Sequence, residues 1–335
     1  MSLTQFLIEE RKRFPEASGD FNHLLLDVAM ACKRIAHAVS FGDLMPYKLS
    51  DISEDALAEL VHLPKTHANG KYLLLFDAID GVSNIDMNVS LGSVFSILRA
   101  PEPLQPNERR LNDDHFLQEG REQVAAGYAI YGPSTMLILS VGRGVVGFTL
   151  DPNFKEFMLT HPDLKIPADT QEFAINASNR RFWEVPVQQY VDECLAGRTG
   201  PRHKDFSMRW IASMVAEAHR ILMRGGVCLY PRDTKNSGKS GQLRLLNAAN
   251  PVGFIIEQAG GGAITGSQQV LDIKPQSLDQ RIGFIFGSKN EVERIQRYHR
   301  EPQVKNLDAP LFGERSLFRD WTVSMNSPQS VLIEE

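Results

Sequence analysis

The chain has 335 residues, 42% of them hydrophobic, with a formal net charge of −5 and a pI near 6.0. That length buries a large core, in one big domain or two tightly joined halves. The acidic balance excludes nucleic acid or an anionic membrane as main partner, while a phosphorylated small molecule needs only a local basic cluster.

Cys32, Cys194 and Cys228 are too few and too scattered for a disulfide framework or a zinc site, and each reads as a small core residue in a reducing cytoplasm. The start, MSLTQFLIEERKRFPE, has no signal-peptide apolar region, and no apolar run reaches membrane-spanning length. A soluble cytoplasmic protein with no membrane partner is expected.

Thr4–Arg13 reads as a short amphipathic helix ended by Pro15, and Phe21–Val39 as a longer one, with Leu25, Val28, Cys32, Ile35 and Val39 at helical spacing. Asp51–Leu60 carries helix signals: Ser53 as cap, Ala56, Leu57 and Leu60 as the apolar face, Glu54, Asp55 and Glu59 as a solvated one. Tyr72–Phe76 is apolar throughout and predicts a fully buried strand, with Asp77 at its end, then Asp80 and Gly81. Two carboxylates at this spacing on a turn point at one place, and their hard oxygens suit Mg²⁺ or Mn²⁺. Gly81 permits a tight turn, after which Val82, Ser83 and Asn84 offer amides and a hydroxyl to an anion. An ordinary Asp/Gly turn between strands accounts for the same residues.

Val89–Leu98, Gln123–Ser134, Thr135–Leu139 and Val145–Leu150 predict strands, the last two around the turn Val141–Gly144, and hence a hairpin-rich sheet. Pro101–Glu122 reads as a surface loop or short helix, and Phe157–Pro167 as a connection. Glu172–Asn176 leads to a helix over Val185–Leu195, and Gly197–Asp205 is a basic loop. Phe206–Met223 predicts a helix with Met208, Ile211, Ala212, Val215 and Ile221 inward. Val227–Tyr230 and Gly283–Phe286 predict strands, Val252–Gln258 and Lys289–Tyr298 helices, Asn236–Gly241 a flexible loop, and His299–Glu335 a loosely packed or disordered tail.

The stretch FDAIDGVSNID resembles the metal and phosphate signature of the class 1 fructose-1,6-bisphosphatases, D-P-L-D-G-S-S-N-I-D. The resemblance runs from about Phe21 to His299 and is closest from Gln123 onward. It implies an α/β (α+β) layered sandwich of the sugar phosphatase type in two tightly packed halves: 1–165 with the Asp77–Asn84 motif, 166–300 with the sugar-phosphate site, and a tail over 301–335. It also implies hydrolysis of fructose 1,6-bisphosphate to fructose 6-phosphate and phosphate with Mg²⁺ or Mn²⁺, in a tetramer. Metal would be held by Asp77, the Ile79 carbonyl and Asp80. Substrate would be met by Asp80, Gly81, Val82, Ser83, Asn176, Arg209 beside Trp210, Met214, Tyr230, Gln242 and Arg244, with Arg209 reaching into a neighbouring subunit.

The sequence departs from that pattern at chemical positions. Gln242 stands for a phosphate-binding lysine, Asn247 for a tyrosine, and Ala248 for a metal-ligating glutamate; Val82 replaces a serine and Ala78 a proline. Alanine has no side-chain oxygen to offer a cation. Ser40–Asn69 has room for only one of two acidic segments of the family. Either Lys48–Asp55 stands for the lysine-leucine-aspartate segment, with Ser50 at its aspartate, or Ser53-Glu54-Asp55 stands for a Ser-Glu-Glu strand end. Asp51, Glu54 and Asp55 are thus the remaining candidates for catalytic acids. Three outcomes are open: a family member with weak or absent phosphatase activity; an active enzyme with metal held otherwise, through Glu54, Asp55 or Glu257; or a non-catalytic subunit that binds sugar phosphate and assembles with itself or an active paralogue.

Overall fold

Six successive strands pair in the order in which the chain makes them. They are β1 (Tyr72–Asp80), β2 (Leu91–Arg99), β3 (Gln123–Tyr131), β4 (Thr135–Ser140), β5 (Val146–Leu150) and β6 (Phe157–His161), all antiparallel. The computed structural model describes residues 1–13, 19–44, 70–101, 112–236 and 241–301. Alternation along the strands sends side chains to both faces of this sheet. Phe95, Ile97, Ala129 and Phe148 pack beneath α1 (Leu3–Arg13) and α2 (Gly19–Phe41), against Phe6, Leu25, Val28, Cys32 and Ile35. Val94, Ala126, Tyr128 and Ile138 face the other way, onto α4 (Met214–Arg224) and α5 (Asn250–Gln258).

A second sheet lies beyond those two helices. Its order is β11 (Gly262–Ile264), β13 (Phe284–Gly287), β9 (Val227–Tyr230), β7 (Glu172–Ile175), β8 (Ser207–Met208), with β7 parallel to both β8 and β9. Ala174, Cys228, Ala263, Phe284 and Phe286 join the shared core with α4 and α5. Phe173, Ile175, Leu229 and Ile285 pack outward on α3 (Val185–Leu195) and α6 (Lys289–Arg300). A short pair, β10 (Leu243–Arg244) with β12 (Arg281–Ile282), completes the strands among the described residues. The fold is an α/β layered sandwich, and Met1–Arg300 forms one compact unit. Cys32, Cys194 and Cys228 are buried free thiols within it.

Three expectations need correction, and one strand, β11, had none. Among the described residues β1 stands at the end of the sheet, and most of it is half-buried; Leu73 and Ile79 are its buried residues, and it runs on past Phe76 to Asp80. Phe157–Pro167 is not only a connection, since it contains β6. The strand β11 follows α5 where Gly260–Gly262 gave no apolar signal. The helix expected over Phe206–Met223 begins only at Met214. The Arg209 amide donates to the Phe173 carbonyl at 2.8 Å, extending the parallel pairing of β8 with β7, and Ala212 takes a left-handed φ of 61° that no helix admits. Asp51–Leu60 and the tail from 302 lie outside the described residues.

Candidate active site

The pairing of β1 with β2 breaks register where the sequence places its two acids. Asp77 pairs with Val94 and Asp80 with Gly92, so β1 has one more residue than β2 over this interval and bulges. The Ala78 carbonyl in the bulge accepts from the Ser93 hydroxyl at 2.6 Å, and Ser93 lies 2.6 Å from the Tyr131 hydroxyl. Gly81 then turns the chain at φ 83°, where a Cβ is strained, into a 3₁₀ turn over Val82–Met87. The backbone of Val82 and Ser83 forms the start of that turn. Asn84 is 2% exposed, and its Nδ2 has no partner among the described residues.

Asp80 reaches across to α4. Its Oδ2 accepts from the Ser213 hydroxyl and from the Val215 amide, each at 3.0 Å. Ser213 is the N-cap of α4, accepting from the Ala216 amide at 3.3 Å. The Asp80 carboxylate therefore occupies a helix N-terminus, where unpaired amides and the helix dipole favour negative charge. Burial pushes its pKa up, and the donors from Val215, Ser213 and Met214 pull it back. The approach is close because Gly92 has no side chain: a Cβ there would lie 2.4 Å from Val215.

Beside the turn lies an open cleft, lined by Asn176, Asn179, Trp183, Trp210, Tyr230, Asp233 and Gln242 among others. The Trp210 and Tyr230 rings are 5.3 Å apart. Asn176 caps the turn Ala177–Phe182, its Oδ1 accepting from the Ser178 amide and hydroxyl at 3.2 and 2.6 Å. Gln242 Nε2 donates to Asp233 Oδ2 at 2.9 Å. Burial raises the Tyr230 pKa, and the charges of Cys228, Asp80 and Glu217 raise it further, so the cleft feels the acid of the turn.

The remaining expected residues are more dispersed. Arg209 is half-exposed, its Nε 3.7 Å from Glu172 Oε1, a carboxylate that also meets Arg220 at 2.7 Å and Arg224 at 3.5 Å. Met214 is buried in the core between the sheets. Arg244 ends β10 with its Nε 3.9 Å from Asp279. Ala248 is buried in a π-turn, Leu245–Ala249, that packs on β1 and β2.

Family models match two adjoining stretches: "Fructose-1-6-bisphosphatase, N-terminal domain" over residues 49–162 and "Fructose-1-6-bisphosphatase, C-terminal domain" over 166–300. The chain is 55% identical to a class 1 fructose-1,6-bisphosphatase of Hydrogenophilus thermoluteolus, covering 96% of this chain and 98% of that one. It belongs to the class 1 fructose-1,6-bisphosphatase family. A further member, from Methylibium petroleiphilum, is 51% identical over 95% of this chain and 98% of its own. The fold superposes on the crystal structure of Leishmania major fructose-1,6-bisphosphatase in holo form with a TM-score of 0.81, at 33% identity, covering 90% of this chain and 99% of that one.

The described donors of this fructose-1,6-bisphosphatase relative do not by themselves complete a divalent-cation site. No group of three His, Cys, Asp or Glu side chains among the described residues converges to hold one. One Asp80 oxygen is taken up by α4, and Ala248 has none. Glu257 is no substitute. It lies 3.4 Å from Arg121, beside Asp272, with burial raising its pKa first. Arg121 precedes Gln123, which starts β3, whereas Asp80 is level with Ile130, about seven residues or roughly 23 Å along that strand. Asp51, Glu54 and Asp55 lie outside the described residues.

Sequence reasoning missed Ser213, Asp233 and Glu217. Ser213 had a signal, since a serine before the apolar pattern of MVAEAHRILMR is an N-cap signature. Asp233 had none, being one polar residue in a polar loop. Glu217 drew no reading from the sequence, yet it is 0% exposed, accepting from the Ile211 amide at 2.8 Å and Arg220 Nε at 3.0 Å.

Proposed function

We propose that this chain is a sugar-phosphate-binding member of the fructose-1,6-bisphosphatase family whose hydrolysis of fructose 1,6-bisphosphate is severely weakened or absent. The observation that carries the reading is Ala248, which faces the packed core beside β1 where a carboxylate would be needed. The Asp80 bonds to Ser213 and Val215 support it, because they draw one of two remaining acids toward a structural task. Asp77, the Ile79 carbonyl and Asp80 would hold Mg²⁺ or Mn²⁺ weakly, since such hard cations take six or more oxygens. The backbone amides after Gly81 are the donors that would meet a phosphate. Asn176, Tyr230 and Gln242 of the cleft would meet the rest of the sugar, and Arg209 the neighbouring subunit of a tetramer. On this reading the metal and phosphate turn belongs to an amino-terminal half ending near residue 165, the sugar cleft to a carboxy-terminal half, and the protein works in the cytoplasm.

A second reading, an active enzyme with acids supplied from outside the described residues, is favoured by the identity of 55% to a class 1 fructose-1,6-bisphosphatase. Phosphate release from fructose 1,6-bisphosphate at saturating Mg²⁺ and Mn²⁺ separates the two. Turnover that Asp77→Ala abolishes establishes the second reading; no turnover, with sugar phosphate still bound in calorimetry, establishes the first.

A further inference from the structure

We propose that Ser93 and Tyr131 are positioning residues for the phosphate turn: a buried relay of their hydroxyls holds the bulge in β1 that brings Asp77 and Asp80 onto one face. The inference rests on reading the Gly81–Asn84 turn as the place where a phosphate is met.

In a regular strand, residues three apart point to opposite faces of the sheet. Asp77 and Asp80 escape that rule. They pair with Val94 and Gly92, which are two apart on β2 and so share a face, the one that looks onto α4. Ala78 and Ile79 together stand opposite Ser93 alone. Were the bulge to close, the pairing would slip by one residue, and Asp80 would turn away from Ser213 and Val215.

A bulge disrupts the ladder locally, so its backbone groups need other partners. The Ala78 carbonyl has Ser93, whose fully buried hydroxyl donates to it at 2.6 Å. A carbonyl only accepts and a serine has one hydroxyl proton. The Tyr131 hydroxyl, 2.6 Å away, therefore donates to Ser93. Tyr131 stands on β3 opposite Leu91, diagonal to Ser93 on the same face. It is 4% exposed and meets the buried Cys32 thiol of α2. The relay thus runs from the helix layer across two strands to the bulge, and donation from Tyr131 strengthens the bond that Ser93 makes to Ala78.

The test joins amide hydrogen exchange over residues 77–90 with calorimetric titration of fructose 1,6-bisphosphate, with Mg²⁺ and again in EDTA. Wild type, Ser93→Ala, Tyr131→Phe, the double variant and Ile138→Val, a core change in β4 outside the relay, are compared. Ser93→Ala is expected to bind at least about fivefold more weakly than wild type, with faster exchange in the turn. Tyr131→Phe, a near-isosteric change that serves if the alanine variant does not fold, should shift both in the same direction by less. The double variant should bind no more weakly than Ser93→Ala, as two groups in one chain require. Ile138→Val should melt lower and move neither readout. Turn amides that exchange in both relay variants as in wild type overturn the relay and leave the phosphate turn standing. Faster exchange with unchanged affinity overturns the positioning role. Failure of wild type to bind in either buffer overturns both readings.

Discussion

Asp80 at the end of β1 and Val215 in the first turn of α4 are joined by a hydrogen bond of 3.0 Å, the carboxylate accepting from the backbone amide. With Ser213 on the same oxygen, this bond ties the edge of one sheet to the helix layer beneath it. Whatever else Asp80 does, it is part of the scaffold.

Asp80→Asn keeps an acceptor oxygen for both donors and removes a buried charge. Asp80→Ala leaves two donors unmet and should cost about 1–3 kcal/mol. The pKa of Asp80 is raised on folding, so its contribution to stability is full below its ordinary value of 3.8 and is lost as pH rises through the folded value. The advantage of Asn over wild type should therefore be larger at pH 8 than at pH 4. Urea denaturation of the three proteins at both pH values checks this. An Asn variant no more stable than the Ala variant would show that the two hydrogen bonds contribute nothing.

Ala248 offers a test of the lost ligand. Glutamate in this buried π-turn adds a carboxylate without a partner, so Ala248→Glu should melt lower than wild type in chelator. If the new oxygen completes a cation site with Asp77 and Asp80, Mn²⁺ should stabilise the variant far more than wild type. The gain is about 2.7 kcal/mol when the ion stands at a hundred times its Kd. Thermal melts with and without Mn²⁺, with Ala248→Gln as control, read this directly. An equal Mn²⁺ shift in wild type would mean that its cation site is already complete.

Most of the scaffold was legible because it rests on periodicity. The strands β2 to β5 and the helices α2, α3 and α6 follow apolar patterns that local sequence carries. The boundary at Ser213 was hidden because Phe206–Ala212 has residues of helical spacing, and tertiary bonds such as that of Arg209 to Phe173 set its conformation. The acids Asp77 and Asp80 were visible as a motif, but their use was not. That Asp80 caps a helix more than a hundred residues away is a fact of tertiary contact. Likewise Gln242 was visible as a departure, while its partner Asp233 emerged only from the fold.

Glu217 anchors the loop that carries Trp210 into the cleft. It is fully buried, and Arg220 links it in turn to Glu172, on which Arg209 also rests. Removing Glu217 leaves the Ile211 amide and Arg220 Nε without their acceptor while Arg220 keeps Glu172, so Glu217→Ala should cost about 1–3 kcal/mol. Glu217→Gln keeps an acceptor for the Ile211 amide and should cost less. Tryptophan emission should shift in the alanine variant before unfolding, as Trp210 leaves Tyr230. Unchanged emission, with stability lost, would place Glu217 in the core alone and not in the support of the cleft.

His219 on α4 gives the fold a pH dependence of defined sign. Its Nδ1 lies 3.1 Å from the Tyr128 hydroxyl, and its pKa falls from 6.5 to about 4, chiefly through burial and then through the charge of His161. The unfolded chain binds this proton more readily than the folded one, so stability is full above pH 6.5 and falls as pH drops toward 4. The loss is about 3.5 kcal/mol at most, ~1.4 for each pH unit of the shift. Asp80 and Glu257, whose pKa values are raised by burial, act with the opposite sign, so the wild-type profile alone mixes the three. The difference between wild type and His219→Gln isolates the histidine. Urea midpoints at half-unit steps from pH 4 to 7.5 should show that difference growing with pH and levelling above 6.5. A difference that does not vary with pH would mean that His219 carries a proton in the folded state as readily as in the unfolded one.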